Sequence, residues 1–238
     1  YSVCVQYLRD RCMRSGVISV SGVTTTMGAV AVMIDDRANK ILKDFTVSPI
    51  RSSRLAGAYI LSSVVVGFIM SLVTFVLAEA YIFLNGGELL APLAMLKMIG
   101  LILLTVLTSS AMVYFLTSFF RSQNAFATAS TILGTIIGFL AGVYVPIGQF
   151  SDSVQTVIKL FPMTYSASLM RQVMMEEPLK ISFAGVPVEG LDAFKLMMGH
   201  TIRFGETAVT PFTSILILSG TALLLYGMSI LNISRKAK

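Results

Sequence analysis

Residue types that commonly carry catalysis are sparse in this chain. The only histidine is His200, and the only cysteines are Cys4 and Cys12, whose spacing matches no zinc site. Neither an H-E-x-x-H motif nor a G-x-S-x-G motif occurs. The sequence therefore predicts a protein that is not an enzyme, with a solvated His200. The cysteines are expected to be unpaired, and an extracytoplasmic disulfide is the alternative.

Charged side chains are concentrated between residues 35 and 54, which hold eight of the chain's 30 charged residues (18 basic and 12 acidic). Apolar residues recur there at helical spacing, and charged residues take the opposite face, which predicts an amphipathic helix of about three turns. Pro49 ends it, because the residue before a proline is pushed out of helical geometry. The two faces are Ala38, Ile41, Leu42 and Phe45 on the apolar side and Asp36, Arg37, Lys40, Lys43 and Asp44 on the charged side.

This segment has two interpretations. A plain connection between membrane spans needs only a few residues, and this one runs from residue 35 to residue 54. It is either an interfacial helix lying on lipid or a surface that receives a protein partner. Interfacial helices are rich in Lys and Arg on the polar face, whereas Asp35, Asp36 and Asp44 interrupt this one. Mixed charge favours the protein partner.

The composition indicates which elements position this segment. The chain of 238 residues is 55% hydrophobic and 13% charged, with a mean hydropathy of +0.81, whereas a soluble domain has about 25% charged residues. No basic cluster with interleaved aromatic residues points to nucleic acid. We expect one all-α polytopic transmembrane domain over residues 1–238. Runs long enough to span a membrane cover about residues 16–34, 55–84, 93–120, 125–146 and 208–233.

The basic residues set the expected topology. Residues 35–54, Arg121 and the basic tail 235–238 all fall on one side of five spans, which is the cytoplasmic side by the positive-inside rule. The long segment 147–207 then lies outside the cell. Because the chain begins at Tyr1 rather than at a methionine, we expect a further span upstream, which gives six.

Segment 147–207 is expected to begin with two short amphipathic helices. A helical stripe formed by Val154, Val157, Ile158 and Phe161 stops at Pro162, and a second helix follows to Met175. These helices either re-enter the membrane, where protein must cover their broken backbone, or lie on its surface as a linker. The second helix carries on one face Ala167, Met170 and Met174.

Polar and small residues inside the spans allow further predictions. Glu79 and Lys97 lie at similar depth on either side of an outer turn, so we predict an ion pair, with separate snorkelling or a proton relay as alternatives. Hydroxyls in the first and third spans are expected to bond their own helix backbone, with a translocation lining as the alternative. Small-xxx-small spacing predicts close helix packing, within the chain or with a second protomer, at Gly134, Gly138 and Gly142.

Two stretches carry a family resemblance. The first is MGAVAVMIDDRANKILKDFTVSPIRSSRLAGAYILSS at residues 27–63, and the second is LFPMTYSASLMRQV at residues 160–173. Together, in this order and span layout, they resemble the ABC-2 family of exporter permeases, over residues from about 16 to 238. That family has an acidic-basic helix and an S-P-x-x-R/S turn between two spans, and an F-P-x-x-Y…R stretch before the last span.

The resemblance implies a permease in the cell membrane, of the bacterial plasma membrane type, working as a homodimer or with a related second permease among membrane lipids. It implies a cytoplasmic ATPase subunit that carries ATP and Mg, and no cofactor on this chain. No Gly-Lys pair is present to form a P-loop, so ATP hydrolysis is expected on another polypeptide. An ATP-independent carrier or channel is the alternative, and the substrate is not indicated.

By the same resemblance, two groups of residues receive roles. The ATPase-coupling surface is placed on Asp36, Arg37, Lys40, Ile41, Asp44, Phe45 and Pro49. The outer gate is placed on Phe161, Pro162, Tyr165 and Arg171.

Overall fold

The computed structural model describes residues 2–39, 52–87, 89–117, 119–120, 122–183, 188–205 and 207–236. These ranges hold eight α-helices, one 3-10 turn at Ile147–Gln149 and a small antiparallel hairpin of β1 (Arg203–Phe204) and β2 (Thr207–Ala208). The helices are α1 (Ser2–Ala38), α2 (Ser52–Leu84), α3 (Pro92–Thr117), α4 (Gln123–Leu140), α5 (Asp152–Leu160), α6 (Pro162–Ser182), α7 (Val188–Met197) and α8 (Pro211–Lys236).

Four helices are long and apolar enough to cross a membrane, which confirms the predicted all-α polytopic bundle. They are α1 over Arg11–Asp36, α2 over Gly57–Leu84, α3 over Pro92–Thr117 and α8 over Pro211–Ser229. The fourth predicted span, residues 125–146, corresponds to α4, which has 18 residues and begins with two polar ones. At 1.5 Å per residue it is about 27 Å long, slightly shorter than the hydrocarbon core.

Helix α1 lies at the centre of the bundle and packs against α2, α3, α4 and α6. Toward its carboxyl end, Met33 belongs to a buried cluster with Tyr114 of α3 and Phe126 of α4. Toward its amino end, Leu8 and Cys12 are buried against α6. The other faces of α2, α4 and α8 leave large apolar side chains exposed, as lipid-facing helices do. They include Leu61, Val76, Leu77, Ile132, Leu216 and Leu223.

The glycines of the small-xxx-small pattern do not share one packing face. A Cβ on Gly134 would lie 3.7 Å from Thr24 Cγ2, so this glycine faces α1 of the same chain. Gly138 lies under the ring of Tyr144, which belongs to the segment following α4. Gly142 lies beyond the end of α4 with a φ of 65°, in the left-handed region that favours glycine. The prediction of a repeated helix-packing face through Gly142 is therefore wrong, because the helix ends two residues earlier.

A close crossing of α1 and α2 uses glycines outside that pattern. A Cβ on Gly67 of α2 would lie 2.6 Å from Cγ2 of Thr26 on α1 and 3.0 Å from Cγ1 of Val106 on α3. A Cβ on Gly22 would lie 3.4 Å from the Ser71 hydroxyl. The missing side chains let α1 and α2 approach closely in the middle of the bundle.

Candidate functional site

Among the described residues, a hydrogen bond joins the carboxyl end of α1 to the amino-terminal part of α2. The Tyr59 hydroxyl donates to Oδ2 of Asp36 at 2.6 Å. Within the last turn of α1, the Asn39 amide donates to Oδ1 of Asp35 at 3.1 Å. The predicted coupling residue Asp36 is therefore engaged with α2 of its own chain. Arg37 lies in the last turn of α1.

The rest of the predicted coupling surface lies outside the described residues. Helix α1 ends at Ala38 and α2 begins at Ser52. Residues 40–51 between them are not among the described ranges, so the amphipathic helix with its Pro49 stop stays a prediction. The same holds for the coupling roles of Lys40, Ile41, Asp44, Phe45 and Pro49.

At the other end of the bundle, α5 and α6 form a helical hairpin that turns at Phe161. Phe161 has extended backbone angles, and Pro162 is the first residue of α6, where a proline costs no helical hydrogen bond. Side chains of α6 satisfy the last carbonyls of α5: the Thr164 hydroxyl donates to Ile158 O and the Tyr165 hydroxyl to Lys159 O, each at 2.7 Å. The broken backbone of the hairpin is thus covered by protein.

The start of α6 lies inside the bundle. The Ser166 hydroxyl is 3.1 Å from the Ser19 hydroxyl of α1 and 2.6 Å from the Thr105 hydroxyl of α3. Thr105 lies 13 residues along α3 from Pro92, which is about 20 Å at the helical rise. These contacts favour the re-entrant interpretation of residues 147–175 over a linker on the membrane surface.

Arg171 is the largest fully buried side chain among the described residues, and it joins three segments. Its Nη2 donates to the carbonyls of Ala141 and, at 3.1 Å, Gly142, which follow the end of α4. Its Nη1 donates to Gly199 O at 3.5 Å. Its Nε has no partner among the described residues. Arg171 therefore ties the α6 arm of the hairpin to the outer end of α4 and to the turn that follows α7.

The turn after α7 is held by side chains that bond three successive carbonyls. The Gly199 backbone has a φ of 67°, so the turn uses the left-handed conformation that glycine permits. Each donor comes from α1 or α6, so this turn docks on the core of the bundle. The donors are Cys12 Sγ to Met198 O, Arg171 to Gly199 O, and Ser168 Oγ and Gln172 Nε2 to His200 O.

His200 is partly buried, whereas the sequence led us to expect a solvated side chain. It lies in this docked turn, outside the candidate membrane spans. Burial lowers the pKa of His200 to about 4, and the positive charges of Lys195 and Arg171 act in the same direction. The imidazole is thus neutral at physiological pH, with Nδ1 3.3 Å from the Thr201 hydroxyl. The thiol of Cys12 is buried and free, as expected.

Glu79 and Lys97 do not form the predicted ion pair. The Glu79 carboxylate is buried and its Oε2 accepts a hydrogen bond from the Leu90 backbone N–H at 3.2 Å, while Oε1 has no partner among the described residues. The Lys97 side chain is exposed, as the snorkelling alternative expects. The partner of Glu79 is the backbone of the α2–α3 turn, which a comparison of side-chain depths does not reveal.

Hydroxyls in the bundle have two roles. As predicted, several bond their own helix: Thr26 donates to Gly22 O and Ser109 to Thr105 O, at 2.8 and 2.7 Å. Others join neighbouring helices, a role that spacing within one helix does not reveal. These interhelical pairs are Ser19 with Ser166, Thr105 with Ser166, Ser21 with Thr74, and Ser63 with Ser110.

A comparison with known protein families covers most of the helices described above. A family model described as ABC-2 type transporter matches residues 5–175. The match includes α1 to α5 and most of α6, and it covers well over half of the chain. No curated protein matches the chain.

Proposed function

This chain belongs to the ABC-2 type transporter family, and we propose that it exports its substrate with ATP hydrolysed by a separate ATPase subunit. As a permease of that family it is a multi-pass membrane protein. In the proposal the ATPase carries ATP and Mg, docks on residues 35–54 in the cytoplasm, and this chain binds no cofactor.

The observation that carries the proposal is the connection between α1 and α2. It is longer than the α2–α3 and α3–α4 connections, since α1 ends at Ala38 and α2 begins at Ser52. It carries charges of both signs, and the Tyr59–Asp36 bond joins the two helices that flank it. A connection with charges of both signs, at the basic end of a permease and between two helices that are bonded together, favours docking of a protein that transmits movement to it.

The hairpin of α5 and α6 supports a gate at the opposite end. A gate must close without leaving unsatisfied backbone groups in the membrane. Thr164 and Tyr165 cover the hairpin turn, and Arg171 bonds the carbonyls beyond α4. Phe161 and Pro162 form the turn itself. Release of the substrate to the outside would require these bonds to open.

A second permease completes the proposed assembly. The exposed apolar faces of α2, α4 and α8 offer room for another protomer as well as for lipid. A homodimer and a pair with a related permease fit these faces equally.

Site-specific photocrosslinking tests the docking of an ATPase. A photoreactive residue is placed at Phe45 in the full-length chain, and a second one at Val157, which is exposed on α5. We expect the Phe45 position to capture a polypeptide with a Walker A motif, and the Val157 position not to capture it. Crosslinks from Phe45 to lipid alone would instead support an interfacial helix and leave an ATP-independent carrier or channel as the better assignment.

A further inference from the structure

The Tyr59–Asp36 bond joins the two helices that enter and leave the connection on which the proposed ATPase docks. Asp36 lies two residues before the end of α1, and Tyr59 lies two helical turns into α2. The two helices also pack together farther from the connection, at Gly67 with Thr26 and at Ser21 with Thr74, and this bond joins them beside the connection itself. We infer that Tyr59 is a positioning residue that makes α1 and α2 respond to the connection as one body. This inference rests on the proposed function.

The geometry makes this bond a strong one. A phenolic O–H donating to a carboxylate is charge-assisted, and 2.6 Å is a short donor–acceptor distance for this type of bond. Both side chains are partly buried, so water competes less for the carboxylate. The ring of Tyr59 also packs against the buried cluster that contains Met33 and Tyr114. The bond is therefore held on a packed base that includes α3.

Helix α1 is the element that carries a movement from this base to the gate. It runs without interruption for 37 residues, which is about 55 Å. Near its other end, Arg11 Nη1 donates to Met174 O of α6 at 3.4 Å. Further along, Ser19 bonds Ser166 of α6 at 3.1 Å.

Helix α1 also lies directly against Arg171 and the residues that follow α4. A Cβ on Gly16 would lie 2.7 Å from Val143 Cγ2 and 3.4 Å from Nη2 of Arg171. A shift of α1 along its axis would thus press on the outer end of α4 and on the guanidinium that binds it. Helix α1 therefore extends from the connection to the gate, and the Tyr59–Asp36 bond makes α2 share a movement of α1.

The test separates transmission from docking. The full-length chain is purified with its ATPase and carries Val157→Cys as a reporter on α5. The rate at which a membrane-impermeant maleimide labels this cysteine is measured without nucleotide and again with ATP and vanadate. Background labelling is taken from the chain without the added cysteine. Tyr59→Phe keeps the ring and removes the hydroxyl. The matched control is Tyr81→Phe at the other end of α2, where the ring faces Arg14 and the hydroxyl bonds no described residue.

We expect Tyr59→Phe to retain the ATPase but to reduce the nucleotide-dependent change in labelling rate about tenfold, the factor that loss of a hydrogen bond to a charged group corresponds to. Tyr81→Phe is expected to behave as the parent chain. A full response in Tyr59→Phe, or a loss of the ATPase from it, overturns the inference. Absence of the ATPase from the parent complex would instead refute the proposed function.

Variants of Asp36 test the same bond from its other side. Asp36→Asn keeps an oxygen that accepts from Tyr59, whereas Asp36→Leu does not. We expect Asp36→Leu to reproduce Tyr59→Phe and Asp36→Asn to retain most of the response. If both variants lose the ATPase, Asp36 is a docking contact and its bond to Tyr59 does not transmit movement.

Discussion

The guanidinium of Arg171 donates to the Gly142 carbonyl at 3.1 Å, two residues beyond the end of α4. A cation that is completely buried in a membrane bundle is costly unless hydrogen bonds satisfy it. Here the acceptors are backbone carbonyls, which need donors themselves once a helix has ended. The arginine and the end of α4 therefore stabilise each other, and these hydrogen bonds hold the segment proposed as the outer gate.

Removing the guanidinium of Arg171 is expected to destabilise the protein substantially. Arg171→Met leaves three carbonyls without their donor, which we expect to lower the free energy of unfolding by about 3 kcal/mol. Arg171→Lys keeps the charge but not the fork geometry, so its effect is intermediate. Thermal unfolding in detergent measures both. The control is Arg203→Met, because Arg203 is partly exposed and 3.8 Å from Asp192; equal stability of the two methionine variants contradicts the fastening role.

Adding one methyl group at the crossing of α1 and α2 is expected to destabilise the protein. Gly67→Ala places a Cβ 2.6 Å from Thr26 Cγ2, and such overpacking costs about 1–3 kcal/mol. Thr26→Ser removes that methyl group and keeps the hydroxyl, so it is expected to restore part of the stability of Gly67→Ala. Gly100→Ala is the control, since no atom lies within 4 Å of its added Cβ. A Gly67→Ala chain as stable as Gly100→Ala would disprove the close crossing.

Glu79 is expected to act through the Leu90 N–H and not through Lys97. Glu79→Leu leaves that buried N–H unsatisfied and should cost about 1–3 kcal/mol, whereas Glu79→Gln keeps an acceptor and costs less. Lys97→Met should change stability by less than about 0.5 kcal/mol. A double-mutant cycle of Glu79→Leu with Lys97→Met measures their coupling by thermal unfolding. Coupling well above about 0.5 kcal/mol would restore the ion pair.

The partly buried His200 makes stability depend on pH below neutrality. Its pKa is about 4 in the folded chain against an ordinary value of 6.5, so the unfolded chain takes up the proton first as pH falls. The contribution of His200 to the free energy of unfolding is present above pH 6.5 and is lost progressively toward pH 4, by at most about 3 kcal/mol. Thermal unfolding of the parent chain and of His200→Gln between pH 7.5 and about 4.5 checks this. We expect the variant to lose less stability over this range; identical pH profiles would exclude His200 as the cause.

The sequence predicted well what depends on local pattern. Apolar length located α1, α2, α3 and α8, and Pro162 marked the start of α6. These features depend on neighbours within a few residues along the chain, which spacing reveals. Ala167, Met170 and Met174 are buried, but every residue from Met163 to Arg171 is buried too, so α6 has no distinct apolar face there.

Features that depend on distant partners escaped prediction. Arg171 is 29 residues from Gly142 and 28 from Gly199, and no spacing rule joins such positions. The crossing at Gly67 is different, because Ser63, Gly67 and Ser71 form a small-xxx-small repeat in α2 that could have indicated it. The end of α4 near Leu140 was placed too late because the apolar composition continues past it, while the left-handed turn at Gly142 ends the helix.

The most direct test of the proposed function is to purify the full-length, tagged chain from membranes in mild detergent and identify its stoichiometric companions by mass spectrometry. Asp44→Lys in the connection is compared with Glu189→Lys, an equal charge reversal at the exposed start of α7. We predict a companion with a Walker A motif that is retained by the parent chain and by Glu189→Lys and is depleted from Asp44→Lys. A parent chain that brings no ATPase, or an ATPase retained equally by both variants, would contradict docking on residues 35–54.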